Sequence, residues 1–325
     1  MNVMRFSIII RCLNEERHLP VLLDAIKRQT IRPEEVVVVD SGSTDNTVWI
    51  ARQKGARVIH IDPKKFSFGR ALNRGAAVAL QEILVIASAH VYPRSERWLE
   101  LLLKPFDDPN VALVYGGQRG DRRTKFSEHR IFQQWFPDES CEEQRHAFCN
   151  NANAAVRRDT WAVMPYDEMI PGLEDILWAK RAIERGLKVA YSADATVVHV
   201  HEESYRQIYH RYRREAMGLQ AISPGENMSL SHALGLWGRT VASDLREARK
   251  EGLIRRVLWS VLCFRAAQYW GTYQGLKWRN SLTSELKARL YYPKGYQLQV
   301  NNPAKTPSQP SVQSAPAGTE QKDPS

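Results

Sequence analysis

Cysteine is scarce in this chain: there are four in 325 residues, Cys12, Cys141, Cys149 and Cys263, and none stands in CxxC spacing. That is too few to staple a chain of this size and the wrong pattern for a cysteine zinc site, so the thiols read as reduced side chains of a cytoplasm-facing protein. Long apolar runs are also missing. The stretch Phe6 to Ile10 is too short for the core of a signal peptide, and nothing approaches the ~18 apolar residues of a membrane span. The expectation is a cytoplasmic protein, soluble or peripheral at the inner face of a membrane. Acidic residues are in deficit, 36 against 46 Lys and Arg, for a formal net charge of +10. Such an excess points to an anionic partner, which could be nucleic acid, an anionic membrane surface or a phosphorylated ligand. No Lys/Arg run has the density of a nucleic-acid tail and no RNA- or DNA-binding signature occurs, so no nucleic-acid partner is expected.

What is present is an ordinary globular composition, 43% hydrophobic, long enough for one large α/β domain with an extension. The runs "RFSIII", "EVVVVD", "ARVIHID" and "EILVIASAH" are short and β-branched, and helix-like segments such as "HLPVLLDAIKRQT" and "TDNTVWIARQKG" separate them. Strands alternating with helices at this spacing indicate βαβ units around a mainly parallel sheet with helices on both faces. Further strands are expected at "VALVYGGQ" and "KVAYSADATVVHVH", with a helix at "EDILWAKRAIERG" that Gly186 closes. In such sheets ligands sit beyond the carboxyl ends of the strands. Function is therefore expected at Arg11 to Glu15, Asp40 to Asp45 and Ser88 to His90.

The second of these segments, "VVVVDSGSTDNT", ends a fully apolar strand on Asp40 and enters a helix that Ser43 or Thr44 can cap. A capped βα loop accounts for Gly42 and the hydroxyls, but not for an acid at the strand end, where a carboxylate can accept from base or ribose donors. Together with "SIIIRCLNEERHL" and "FSFGRALNRGAA", the pattern resembles family 2 glycosyltransferases of the GT-A fold. The resemblance rests on Asn14-Glu15, on Asp-x-Gly-Ser-x-Asp at Asp40 to Asp45, and on Ala71, Asn73 and Gly75, and it spans roughly the first two hundred residues. It implies a nucleotide-sugar donor bound by Arg11, Cys12, Asn14, Glu15, Asp40, Ser41, Ser43, Arg70, Asn73, Ser88 and Ala89. It also implies inverting transfer of the sugar to a hydroxyl of a glycan or lipid-linked acceptor in cell-surface polysaccharide synthesis. The alternative from another class is a catalytically silent nucleotide-sugar-binding protein. A nucleotidyltransferase is disfavoured because no glycine-rich phosphate loop with its lysine occurs.

In that family the strand matching Ile83 to Ala87 runs into Asp-x-Asp, which helps hold a divalent cation on the diphosphate. Here the positions are Ser88, Ala89 and His90, as in a rhamnosyltransferase-like subgroup. Imidazole suits Mn²⁺ or Zn²⁺ better than Mg²⁺. Three readings stand: His90 ligates a softer metal, His90 contacts the diphosphate as a cation, or other residues do the work. His199 and His201 share one face of an extended segment by their period-two spacing, and the resemblance lets one of them, His199, complete the site with His90 around Mn²⁺ or Mg²⁺. Either could instead be simply packed or solvated.

The Glu-Asp pair of "IPGLEDILWAK" matches the family's acceptor-side motif. Asp175 is the expected general base and Glu174 its neighbour at the first turn of a helix, where the dipole favours ionised acids, with Gly172 as a flexible approach. "FCNNANAAVRR" and "GGQRGD" resemble segments lining the acceptor side, with Asn151, Asn153 and Gln118 as hydrogen-bonding candidates, although the asparagines suit loop capping equally well. The expected organisation is a catalytic domain over 1–203, a basic helical extension over 204–298 and a disordered Pro/Ser/Gln-rich tail over 299–325. The extension interleaves Trp, Leu and Arg, a composition that fits either an interfacial helix on an anionic membrane or a helix docked on the catalytic domain.

Overall fold

The computed structural model describes residues 4–278, so the expected tail and the end of the extension lie outside the described residues. Strands β1 (Phe6–Cys12), β2 (Glu35–Asp40), β3 (Arg57–His60) and β4 (Ile83–Ser88) are parallel neighbours, linked by helices α1 (Leu19–Lys27), α2 (Thr47–Gln53) and α3 (Phe68–Val78). They form half of an eight-stranded sheet of order β3-β2-β1-β4-β7-β6-β8-β5. The apolar runs serve both faces by alternation: Ile9, Val37, Val39, Leu84 and Ile86 enter one core, while Ile8, Ile10, Val38, Val85 and Ala87 enter the other. Gly75 lets α3 lie directly on this sheet, because a Cβ there would come within 2.5 Å of Ile9.

The second half of the sheet is built differently. Strand β7 (Asn153–Arg157) runs antiparallel to β4 and to β6 (Val111–Arg119), while β8 (Lys188–His199) runs parallel to β6 and carries the short β5 (Val91–Pro93). Helices α4 (Trp98–Leu103), α5 (Phe126–Trp135), α6 (Arg158–Val163) and α7 (Glu174–Glu184) fill the connections, and Gly186 follows α7 at φ +76° as its closing residue. The segment "FCNNANAAVRR" thus contains β7, which pairs along β4 from Ile83 to Ala87.

The extension comprises α8 (Tyr205–Ile222), α9 (Leu230–Lys250) and α10 (Ile254–Leu276). Ser204 opens α8 with a capping box shared with Gln207. Docking on the catalytic domain is what the packing shows. Gly271 and Gly275 bring α10 against the backbone of α8, where a Cβ would meet the carbonyl oxygens of Tyr209 and Arg213 at 2.5 and 2.4 Å. Asp244 of α9 accepts two bonds from Arg265 of α10, at 2.8 and 2.9 Å, and a third at 2.7 Å from Ser127 of α5. Asp244 is 2% exposed, so this carboxylate depends on its partners for the solvation it has lost. Asp244→Ala is expected to cost about 3–5 kcal/mol by urea denaturation, while Asp244→Leu with Arg265→Met costs far less, because the second change removes the stranded cation. Equal losses in the two variants would show that the pair does not hold the extension in place.

Candidate active site

The site forms where the carboxyl ends of β1, β2 and β4 meet the start of β7 and of α7. Sheet register sets Cys12 opposite Asp40 and Arg11 opposite Ser88. The Ser88 N–H donates to the Ala152 carbonyl at 3.1 Å, and the Asn151 N–H donates to Asp175 Oδ2 at 3.1 Å. Arg11, Ser88, Asn151, Glu174 and Asp175 are thereby gathered from positions far apart in sequence.

Asp175 is buried, and its other oxygen accepts from the Ile176 N–H at 2.8 Å. Burial, and next the charge of Glu174, push its carboxyl up to about 7, against the pull of the two backbone donors and Arg11. Glu174 accepts from Arg11 at 3.4 Å. The helix is entered through Leu173, which stands in the left-handed region at φ 62°. For a branched side chain this costs of order 1 kcal/mol or more, and such strain persists only where the surroundings fix it. Gly172 is not where glycine is required. The close approach is at Gly218 of α8, where a Cβ would lie 2.3 Å from the Gly172 carbonyl oxygen. The extension therefore buttresses the loop that carries Glu174 and Asp175.

The loops that follow β1 and β2 are sewn together. Asn14, at φ 55°, accepts from the Thr44 N–H at 2.8 Å, and its own N–H donates to Ser43 Oγ at 2.9 Å. Ser43 and Thr44 therefore do not cap α2 as expected. Asn46 occupies the cap position with no side-chain bond, and Asp45 instead accepts from Thr47 at 3.0 and 2.5 Å. Asp40 accepts from the N–H groups of Gly42 and Ser43 and from His60 at 3.2 Å, so it shapes its own turn. Beside His60 an open pocket is lined by Asp62, Lys65, Arg70, Arg74 and Glu168. Arg70 is held there by Glu168 at 2.7 Å.

Several of the residues expected at the ligand have buried side chains with partners of their own. The Cys12 thiol and the Ala89 methyl lie in the core, and burial raises the Cys12 thiol well above its usual range. Ser41 is buried and donates to the Cys12 carbonyl at 3.1 Å. Asn73 makes four bonds, to Tyr166 O, Tyr166 N–H, Glu168 and Trp161, which together hold the 161–168 segment. Asn153 is 0% exposed, donates to the Gly117 and Ala195 carbonyls and accepts from Trp98. It is a strut of the sheet, with no group left for an acceptor. Asn151 differs, because its buried Nδ2 has no partner.

The histidines follow β4 and close β8. His90 Nδ1 meets Glu15 Oε1 at 2.8 Å and its Nε2 meets Ser88 Oγ at 3.1 Å. The His90 ring stacks on His199 with centroids 5.1 Å apart. His199 is buried, with Nδ1 2.7 Å from Gln118 Oε1, while the buried Gln118 Nε2, like Asn151 Nδ2, has no partner. Burial, and then the neighbouring His201 and His90, lower the His199 imidazole well below its usual range, which keeps it neutral. Glu128, His201 and Glu203 also offer ligand atoms within 4.8 Å of one another. Arg211 of α8 already pairs with both carboxylates there, at 2.8 Å each, and so takes the place of a cation. Sequence reasoning missed Glu128 and Arg211, since nothing in "FSEHRIFQQW" or "HRYRREAMG" marks one acid or one arginine from its neighbours.

A Rossmann-like half-sheet joined to a mixed half, with acids and imidazoles at one end, defines a GT-A glycosyltransferase that uses a nucleotide-sugar donor. The glycosyl transferase family 2 profile matches residues 7–163. The O-antigen chain rhamnosyltransferase RfbN of Salmonella typhimurium is 30% identical over 256 residues, 75% of this chain and 81% of that protein. The O-antigen chain rhamnosyltransferase WbaN of Salmonella anatum is 31% identical over 235 residues, 68% of this chain and 74% of its own. Among solved structures, the mannosyltransferase PcManGT from Pyrobaculum calidifontis, in complex with GDP-Man and Mn²⁺, aligns with a TM-score of 0.55. It is 20% identical and covers 90% of this chain and 88% of that one, a likeness of fold. The chain belongs to glycosyl transferase family 2.

The role of Asn153 is open to a direct check. Asn153→Ala strands the Trp98 N–H and leaves two carbonyls short of a donor, and is expected to cost roughly 2–4 kcal/mol of stability by chemical denaturation. A fully stable variant with a raised acceptor KM would return Asn153 to the ligand pocket.

Proposed function

We propose that this chain transfers a deoxyhexose of the rhamnose type, with inversion, from a nucleoside diphosphate to a hydroxyl of a glycan or lipid-linked acceptor in cell-surface polysaccharide synthesis. The observation that carries the reading is Asp175, a buried carboxylate with a raised pKa, fixed by backbone donors at the mouth of α7. The two rhamnosyltransferase relatives support the choice of sugar and setting.

Asp175 removes the proton from the acceptor hydroxyl as that oxygen attacks the anomeric carbon from the face opposite the diphosphate. Backbone donors on both carboxylate oxygens hold the rotamer, so little reorganisation is needed at the moment of attack. Glu174, tied to Arg11, keeps the Asp175 proton affinity high through its charge. A base with a pKa near the working pH combines a useful ionised fraction with useful basicity, and contributes about 10²–10⁴-fold. Asn151 Nδ2 is a donor available to a sugar oxygen. A divalent cation bound by His90 and His199 would supply positive charge to the leaving diphosphate. Imidazole donors favour Mn²⁺ over Mg²⁺ for that task.

Asp175→Asn should lower kcat by 10²–10⁴-fold while donor binding by calorimetry is retained. In the wild type, kcat/KM should fall as pH drops through about 7, because protonation removes the base. A flat profile between pH 5 and 8, or a fully active Asp175→Asn, would exclude Asp175 as the base. Screening UDP-, GDP- and dTDP-sugars for hydrolysis identifies the donor.

An acceptor on a lipid carrier places the enzyme at the cytoplasmic face of a membrane. Among the described residues no helix is long and apolar enough to cross one. The docked extension nevertheless turns Trp259, 75% exposed, and Trp270, 49% exposed, outward along α10 with Arg255 and Arg256. This stripe fits peripheral contact with anionic lipid. Co-sedimentation with vesicles should rise with anionic lipid content and fall with salt, since exposed charges are screened over about 8 Å at physiological ionic strength. Equal pelleting on neutral and anionic vesicles would remove the electrostatic contribution.

A further inference from the structure

An aromatic pair between α5 and β7 has no part in the chemistry described so far. Trp135, the last residue of α5, lies on Phe148 with ring centroids 4.6 Å apart and planes 24° apart, yet is 46% exposed. Phe148 is in turn held edge-on by Phe136 and Tyr115, at 5.6 and 5.7 Å. The buried Gln144 fixes the main chain beneath it, accepting from the Tyr115 hydroxyl at 2.9 Å and donating to the His146 and Phe148 carbonyls at 2.7 and 2.5 Å. The indole is therefore backed on one face by a rigid support and open to solvent away from it. This support leads straight to the site. Three residues of chain take Phe148 to Asn151, a span of at most about 11 Å, and the Asn151 N–H holds Asp175. Burial, and next the charges of Asp175 and Glu174, raise the intervening Cys149 thiol, which places that turn within the field of both acids.

We propose that Trp135, backed by Phe148, is a stacking platform for a pyranose ring of the acceptor glycan. Phe148 and the 149–151 turn stand between Trp135 and Asp175, so the stacked ring lies behind the sugar whose hydroxyl reacts. That the glycan is an acceptor rests on the reading above; that a sugar docks here rests on the stack. A pyranose presents axial C–H groups on one face and hydroxyls around its rim. A flat indole face removes those C–H groups from water and attracts them through its negative π-face. The surrounding charge selects a sugar over a lipid. Between Pro137 and Gln144 the chain carries four exposed acids, Asp138, Glu139, Glu142 and Glu143, and no Lys or Arg. Asp138 and Glu143 pair with Arg119 and Lys188, and Glu139 and Glu142 make no ion pair among the described residues. Carboxylates accept from sugar hydroxyls, whereas they repel an anionic headgroup. The tryptophans suited to lipid, Trp259 and Trp270, stand with Arg255 and Arg256 instead.

The test is saturation-transfer NMR of the full-length chain with methyl α-L-rhamnopyranoside, methyl α-D-mannopyranoside and methyl α-D-galactopyranoside, beside wild-type hydrolysis of UDP-, GDP- and dTDP-sugars. Saturation is expected on the ring C–H protons of at least one glycoside. Its Kd should weaken about tenfold in Trp135→Ala and change by less than about threefold in Trp135→Tyr, which keeps a ring on Phe148. If circular dichroism shows Trp135→Ala unfolded, indole emission decides: the glycoside should shift it in the wild type and leave it unmoved in Trp135→Tyr. No saturation of any of the three glycosides, an unchanged Kd in folded Trp135→Ala, or the same emission shift in wild type and Trp135→Tyr overturns the platform. Donor hydrolysis alongside any of those results leaves the reading of the activity standing. A glycoside bound at Trp135 by a chain that hydrolyses no nucleotide sugar keeps the platform and overturns that reading instead.

Discussion

The carboxylate of Glu128 is the interaction on which both halves of this molecule depend. It projects from α5 into a space closed by the end of β8 and by α8, where an isolated charge would cost several kcal/mol. Arg211 meets it with bonds of 2.8 and 2.9 Å, and His201 adds a third at 2.9 Å. The same carboxylate therefore fixes the extension to the catalytic sheet and sets the direction of a ring in the cleft. Asp244, Arg265 and Ser127 repeat the device from the adjacent residue of α5. Neighbouring residues of one helix, Ser127 and Glu128, thus receive α9 and α8 respectively, and the extension is part of the site's frame rather than an appendage.

How this frame follows from the sequence differs from one half of the sheet to the other. In the parallel half β1, β2 and β4 are buried on both faces, so β-branched runs of "SIII", "VVVV" and "LVIA" announce them, and their carboxyl ends locate the ligand side without further information. In the mixed half the strands are read less easily because packing sets their composition. Strand β7 is "NAAVR": alanines stand where bulkier residues would mark a strand, and both Ala154 and Ala155 are fully buried. The asparagine at its start looks like a sugar ligand from its type, yet Asn153 braces the irregular pairing of β6 with β8. Amide side chains suit both tasks, and only their partners distinguish them. Asn73, another amide, is bonded to Tyr166, Glu168 and Trp161.

The extension shows the converse ambiguity. Interleaved Arg and Trp suit a lipid headgroup region, but they suit a helix interface equally, since arginine can be buried against an acid from another helix. Arg265 and Arg211 take that second course, while Arg255, Arg256 and Trp259 face outward on the same stretch of chain. Composition could not separate them because the separation is made by Asp244 and Glu128, which come from other elements. The glycines were more informative than they looked: Gly271 and Gly275 permit α10 to touch α8, and Gly218 permits α8 to touch the loop before Glu174.

That last contact explains why the strain in the site can persist. The described residues hold two non-glycine positions with positive φ, Asn14 and Leu173, and each lies on a loop at the cleft. Asparagine tolerates this region, and Asn14 is also fixed by Thr44 and Ser43 on the neighbouring loop. Leucine does not tolerate it well, and the main chain around Leu173 must be held by what surrounds it. Gly218 brings the α8 backbone against Gly172, the residue before it, and Asp175 is clamped from the other side by the Asn151 N–H. Straightening Leu173 would pull Asp175 away from that donor and out of the buried position that raises its pKa. The unusual backbone and the unusual acidity are therefore two consequences of one constraint, the wedging of a short loop between the extension helix and the start of β7.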